Sequence, residues 1–434
     1  MAPVESWGRI RAEGAARPLW WRDDPLPEVE GTMLPFGRGR SYGDACLDQG
    51  GTLLLTRGLS RFISFDEATG LLACEGGVTL GEILARFAPL GFFPTVVPGT
   101  KHVTVGGAIA NDIHGKNHHR AGTFGAHVTR LELLRSDGSR RVCSPAEHPE
   151  LFAATVGGLG LTGLVTWAEL RLKRIPSAFI RWETVPFENV DAFFELSARS
   201  DTTHEYTVAW IDCLARGDRL GRGLFYRGNH AEAPFRAGRR RRPVTVPFDL
   251  PDAVLNRLTV KAFNALYRWR NRGAGERLVH YEPFFFPLDG VERWNRIYGR
   301  SGLMQFQCVL PFDRGLGGVR GVLDAIARSG QGSFLAVLKT FGGLPSPGLL
   351  SFPRPGVTVA LDFPRRGERT LALFRELEGL VLEQGGALYP AKDLVMSPRM
   401  FRAAYPRAPE LERLRDPRFE STFWRRVTAA EERP

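Results

Sequence analysis

Cysteine is scarce in this 434-residue chain: Cys46, Cys74, Cys143, Cys213 and Cys308 are odd in number, widely spaced, and form no C-x-x-C pair. That excludes a disulfide framework and a cysteine-rich zinc site, and it fits a reducing compartment. Convincing membrane spans are also lacking. One uncharged segment, residues 151–168, reaches the minimum spanning length. Gly157, Gly158, Gly160, Gly163, Thr155, Thr162 and Thr166 deprive it of apolar bulk, so it reads as buried interior and no transmembrane helix is expected. Residues 1–24 carry charges throughout and no apolar core region, so no secretory signal is expected. A cytoplasmic location follows, with attachment to a membrane surface and a periplasmic position left open. Repeats of 20 to 50 residues are absent, which excludes a solenoid or propeller. No G-x-S-x-G elbow supports a serine hydrolase.

What is present is ordinary globular material: 43% hydrophobic and 24% charged residues, enough for two or three domains. The net charge of +11 is unevenly spread. Residues 236–277 hold eleven Lys or Arg against Asp249, Asp252 and Glu276, so most of the excess lies there. Such concentration points to one anionic contact, whether nucleic acid, a phosphorylated ligand or an anionic membrane. The plainer alternative is a solvated loop around Arg239–Arg242. Nothing resembles an RRM, KH or zinc-finger signature, so no nucleic-acid partner is expected.

Patterning predicts an α+β architecture. Residues 62–65 and 71–74 flank a hairpin turn, and residues 79–89 form a short helix. Residues 128–135 and 139–143 are joined by Asp137-Gly138, a strong two-residue turn signal. Residues 164–172 make a strand ending near Ile175-Pro176, where a first domain boundary is placed. Farther on, residues 256–272 have Leu258, Ala262, Ala265 and Trp269 at helical spacing, with Arg257, Lys261, Arg268 and Arg272 on a different face. Val357, Val359, Leu361 and Phe363 alternate as a half-buried strand. Residues 370–384 form a helix stopped by Gly385-Gly386.

Three glycine clusters carry the chemistry. In residues 35–44 glycines alternate with Arg38, Arg40, Ser41 and Tyr42, so successive backbone N–H groups can face an anion. Pro98-Gly99-Thr100 and Val105-Gly106-Gly107-Ala108 run into the dense polar run Asn111-Asp112-Ile113-His114-Gly115-Lys116-Asn117-His118-His119. Small residues followed by polar ones suit backbone packed flat against a ligand. Residues 158–163 spell a formal G-x-G-x-x-G, but a strand follows it and no acidic residue lies about 20 positions on, so it is no dinucleotide fingerprint. His102, His114, His118, His119 and His127 crowd one region. They lie in loop sequence without the convergent spacing a metal requires, so no metal is expected.

Together these segments resemble the FAD-binding domain of the vanillyl-alcohol-oxidase type. More narrowly, they resemble the decaprenylphosphoryl-β-D-ribose 2'-oxidase family of actinobacterial cell-wall synthesis. The likeness is carried by residues 39–44, 103–110, 112–119 and 154–158. It continues in Trp294-Asn295-Arg296, Tyr298-Gly299, Gln305-Phe306-Gln307, Leu388-Tyr389 and Ala391-Lys392-Asp393. It implies a two-part FAD-binding domain, residues 1–176 and 387–434, around an inserted α+β substrate domain, residues 177–386. Gly37, Arg38, Gly39, Arg40, Ser41, Tyr42, Gly43, Asp44, Gly99, Thr104, Val105, Gly106, Gly107, Asn111, Asp112, Ile113, His114, Val165 and Tyr389 are then expected to hold FAD. The flavin should be non-covalent, because Arg40 rather than a histidine follows Gly37-Arg38-Gly39.

The resemblance further implies oxidation of the 2'-hydroxyl of a polyprenylphosphoryl ribose to a keto sugar. A separate NAD(P)H-dependent reductase would then complete epimerisation to arabinose. Lys392 is the expected catalytic residue, as proton acceptor or as ammonium. Tyr42 and Tyr298 stand with it, and Gln305, Gln307 and Lys339 join Lys392 in binding substrate. Gln305 and Gln307 are two apart, so on a strand they share a side. Ala360 stands where some family members have cysteine, which removes covalent chemistry there. The alternative is an oxidase of the wider superfamily acting on a soluble polyol or aldonolactone.

Overall fold

The hairpin signals near the N-terminus become one antiparallel sheet. In the computed structural model, which describes residues 4–233, 243–273 and 275–430, Phe62–Asp66 pairs with Leu71–Glu75 across a turn closed by Gly70 at φ 71°. Leu71–Glu75 pairs with Leu164–Arg174, which also pairs with Val128–Leu134 and Phe92–Pro94; Arg140–Cys143 completes the sheet. The helix Leu80–Phe87 packs Leu80, Ile83, Leu84 and Phe87 inward. Its start is fixed by a capping box in which Thr79 accepts from the Glu82 N–H and Glu82 answers the Thr79 N–H. The formal G-x-G-x-x-G does run into a strand, Leu164–Arg174, as its sequence context required. Residues 151–168 divide between the helix Pro149–Thr155, glycine turns and that strand. Among the described residues no helix is long and apolar enough to cross a membrane. The run Arg239–Arg242 lies outside the described residues.

From Phe179 onward the chain builds a second, eight-stranded sheet, antiparallel throughout. Its order is Gly275–His280, Phe179–Phe187, Gly223–His230, Tyr206–Ile211, Ala336–Phe341, Gly356–Pro364, Leu303–Pro311 and Ala387–Leu388. The helices Phe312–Ser329 and Glu368–Glu383 cover one face, burying Val319, Val322, Leu323 and Ile326 with Leu373, Phe374, Leu377 and Val381 in the main core. Strand alternation supplies the other half of that core: Val357, Val359, Leu361 and Phe363 point into it. Thr358, Ala360 and Asp362 are left facing the other way, into a cavity.

After Ala387–Leu388 the chain returns to its own beginning. The Met33 N–H donates to Arg418 O at 2.8 Å, and the Thr422 N–H to Leu47 O at 2.8 Å. Arg426 joins Asp44 and Asp393, each at 2.9 Å. Both carboxylates are buried, so losing Arg426 would strand them unpaired, at a cost of about 3–5 kcal/mol. A three-stranded parallel sheet, Ala15–Pro18, Thr52–Leu55 and Met33–Phe36, sits under this return and delivers the glycine loop that follows Phe36.

Candidate active site and cofactor cleft

A cavity of about 710 Å³ runs from the glycine loops to the polar face of the eight-stranded sheet. At one end stand Gly37–Ser41, Gly99, Thr104, Gly106, Gly107, Asn111 and Val165. The segment Thr104–Ala110 is local physics: Thr104 caps the helix Val105–Ala110 by accepting from the Gly107 N–H, while Val105, Ala108 and Ile109 bury the opposite face. The glycines keep this end open. A Cβ on Gly37 would sit 2.5 Å from Thr104 Oγ1, and Gly39 holds φ 60°.

The middle of the cavity is polar. Lys392 Nζ lies 3.8 Å from the centroid of the Tyr42 ring. Burial pulls the Lys392 ammonium down to about 8, against the pull of the Asp362 carboxylate, which raises it. Asp362 is driven up to about 7 by burial, held back by a hydrogen bond donated from Gln305 and by Lys392. Gln305 stands opposite Asp362 in the strand register, and Gln307 opposite Ala360, so the paired strands present all four to one space. Both glutamines share a side, as their spacing required.

Beside them Lys339 Nζ donates to His114 Nδ1 and to Gly115 O, each at 2.7 Å. Burial, then Lys339, hold His114 well below the usual imidazole range, so the ring is neutral. With Nδ1 accepting, Nε2 carries the proton. The amide end of Gln307 lies 3.0 Å from that nitrogen and must therefore present its oxygen to it. Burial also brings Lys116 down to about 8, while its Nζ donates to Phe285 O at 3.1 Å. Tyr389 closes this region, donating its hydroxyl to Asn111 O at 3.0 Å and stacking on Phe352. The third part of the cavity is an apolar arm of Trp182, Tyr226, Phe263, Tyr267, Phe284, Phe285, Leu288, Ile297 and Phe334.

The cleft suits a dinucleotide-sized cofactor with a pyrophosphate. The backbone N–H groups of Arg38, Gly39 and Arg40 meet no acceptor among the described residues. The buried Arg40 Nε also lacks a partner, although its guanidinium stacks 4.2 Å from the Trp7 ring. A row of N–H groups beside cations is an anion cradle. With the flat, glycine-lined floor at Gly106, Gly107 and Gly160, these residues fit FAD.

Most of the expected site residues line this cavity, including Tyr42, Ile113, His114, Gln305, Gln307, Lys339, Tyr389 and Lys392. Five stand behind its wall. Val105 faces the core, and Asp112 is buried where it accepts from the Gly125 N–H, Ser346 and Ser351. Asp44 is taken up by Arg426, and a Cβ on Gly43 would meet Asp393 O at 1.6 Å, so both fasten the loop to the chain's return. Tyr298 is buried against Phe334, its hydroxyl without a partner. Among the described residues no group of three or more His, Cys, Asp or Glu could hold a metal. The clustered histidines are used singly: His118 Nδ1 accepts from the Gly342 N–H, and His127 bonds Ala121 O.

Asp362, Lys116 and the aromatic arm escaped the sequence reading. A signal for Asp362 existed, because the alternation of Val357, Val359, Leu361 and Phe363 places it on the face of Thr358 and Ala360. The aromatics gave none, being scattered across four elements and a loop.

Comparison with known proteins adds four findings. Residues 28–144 match the model of an FAD binding domain. A decaprenylphosphoryl-β-D-ribose oxidase of Mycolicibacterium smegmatis is 36% identical over 397 residues, 88% of this chain and 85% of its own. An uncharacterized protein in the mprA 5' region of Streptomyces coelicolor is 34% identical over 78% of this chain and 95% of its own. A Neurospora crassa putative D-arabinono-1,4-lactone oxidase is 28% identical over only 28% of this chain.

Proposed function

Since this chain belongs to the decaprenylphosphoryl-β-D-ribose oxidase family, we propose that it is an FAD-dependent oxidoreductase that oxidises the 2'-hydroxyl of a polyprenylphosphoryl-β-D-ribose. The product is a keto sugar on the route to an arabinose donor. The observation that carries this reading is the continuity of one cavity, from an anion-cradling glycine loop, past Lys392, to an apolar arm. A soluble polyol has no use for that arm, and the lactone oxidase likeness covers too little of the chain to compete.

When bound, FAD supplies the two-electron acceptor for the hydride leaving the sugar carbon. The chain does the rest. Segments before residue 177 and after residue 386 hold the cofactor; those between shape the sugar and lipid site. Lys392, whose ammonium burial brings down to about 8 so that it can lose its proton far more readily than a surface lysine, takes the hydroxyl proton at Nζ. Tyr42 packs under that nitrogen and fixes its position. Gln305 and Gln307 offer amides to the ring hydroxyls, and Lys339 keeps His114 and Gln307 in register. Tyr298 supports the wall from behind. Released keto sugar then calls for a separate NAD(P)H-dependent reductase, and a lipid-linked substrate calls for work at a membrane surface.

The test is anaerobic. FAD-loaded protein mixed with a short-chain polyprenylphosphoryl ribose should bleach at the flavin absorbance, whereas galactono- and arabinonolactones should not. Bleaching by lactones alone would overturn the assignment.

A further inference from the structure

The helix Arg257–Asn271 is turned the opposite way from an ordinary amphipathic surface helix. Its inward residues are Val260, Asn264, Tyr267 and Asn271, two of them amides. Asn264 is accommodated by donating to Asp212 Oδ1 at 2.9 Å, and Tyr267 by a 3.0 Å hydroxyl contact with Tyr226. The apolar stripe points outward. Leu258 is 78% exposed, Leu266 60% and Trp269 64%, with Ala262 and Ala265 exposed between them. At 3.6 residues per turn these five fall within an arc of about 100°.

Charge frames the stripe. Arg257, Lys261 and Arg272 lie along one edge and Arg270 along the other, all exposed, and the helix contains no carboxylate. Arg268 is committed to Glu188, but these four form no ion pair with the described residues. The same helix, through the partly exposed Phe263 on its flank and through the inward Tyr267, is a wall of the cavity's apolar arm.

From this arrangement we propose that the helix Arg257–Asn271 lies in the surface of an anionic membrane, with Leu258, Leu266 and Trp269 among the acyl chains and the flanking cations at the headgroups. A contiguous exposed apolar stripe is the mark of an interaction surface, and a cation-edged one matches an anionic bilayer better than a second, equally cationic copy. The placement rests on the lipid-linked substrate reading for its purpose: it sets the apolar arm, of which this helix is a wall, beside the lipid phase that holds the polyprenyl chain. The attraction should fall with salt as the Debye length shrinks from about 10 Å at 0.1 M to about 3 Å at 1 M.

FAD-loaded full-length protein is sedimented with vesicles of equimolar phosphatidylglycerol and phosphatidylcholine, and with phosphatidylcholine alone. The parent should pellet with the anionic vesicles at low salt and be released at about 1 M salt. The triple variant Leu258→Ser, Leu266→Ser, Trp269→Ser should lose at least about tenfold in vesicle affinity. Replacing Arg257, Lys261, Arg270 and Arg272 with Gln should erase the preference for anionic lipid. Both variants should keep parental flavin reduction by a soluble short-chain substrate, and lose it with a long-chain substrate embedded in vesicles. A parent that ignores anionic vesicles, or a triple variant that pellets like the parent, overturns the proposal. So does a parental dimer that the triple variant turns into a monomer with no effect on vesicle binding. Vesicle binding without oxidation of any polyprenylphosphoryl ribose would instead sink the substrate assignment and leave the docking surface standing.

Discussion

Lys392 and Asp362 face each other across the polar centre of the cavity and pull on each other's protons. The carboxylate raises the lysine, the ammonium lowers the carboxyl, and burial acts against the charge on both. Tyr42, 3.8 Å beneath Nζ, gives the cation a π face and keeps bulk water from that side. The result is a lysine able to exchange a proton near neutral pH, where a solvent-exposed one would stay charged.

Replacing Lys392 with Ala should leave FAD bound and lower the rate of substrate-driven flavin reduction by about 100-fold or more, the scale of a lost acid–base group. Anaerobic stopped-flow absorbance measures it. A variant reduced at the parental rate would confine Lys392 to a structural role.

The pH profile carries a sign. With Lys392 near about 8, the amine that accepts the proton grows as pH rises, so flavin reduction should climb through that value. Asp362→Asn removes the attraction that raises Lys392, and the midpoint should move to lower pH. A midpoint displaced to higher pH would contradict the pairing.

Acid precipitation should release the flavin into the supernatant. Arg40 occupies the position after Gly37-Arg38-Gly39, and its guanidinium lies over Trp7. A pellet that remains yellow after repeated acid washes would show a covalent link elsewhere.

His118 should contribute a pH-dependent stability term. Burial brings its imidazole down to about 3 from an unfolded value of 6.5, so between these the unfolded chain binds the extra proton and stability falls as pH falls. His118→Asn keeps an acceptor for the Gly342 N–H and removes the titration. The variant's deficit in equilibrium denaturation should therefore shrink by about 1.4 kcal/mol for each pH unit below about 6.5. A deficit constant from neutral to about pH 4.5 would mean that His118 does not titrate in that window.

Local patterns were legible from the sequence wherever one short segment sets its own conformation. The Asp137-Gly138 turn, the short helix that begins after Thr79 and the alternation through Val357 and Phe363 each depend on neighbours a few residues apart, and each appears as read. The glycine loops and the 112–119 run were legible for a related reason, because close backbone approach to a cofactor admits few side chains. Tertiary structure alone brought Tyr42, His114, Gln305, Lys339, Asp362 and Lys392 to one cavity from positions spread over 350 residues. It also set their protonation, since burial and facing charges are not properties of a residue in its own sequence neighbourhood. The helix Arg257–Asn271 marks the limit most plainly. Periodicity identified its apolar stripe, but a stripe on a helix wheel is the same whether it meets core or solvent. Only the packing of Asn264 on Asp212 and Tyr267 on Tyr226 turned that stripe outward.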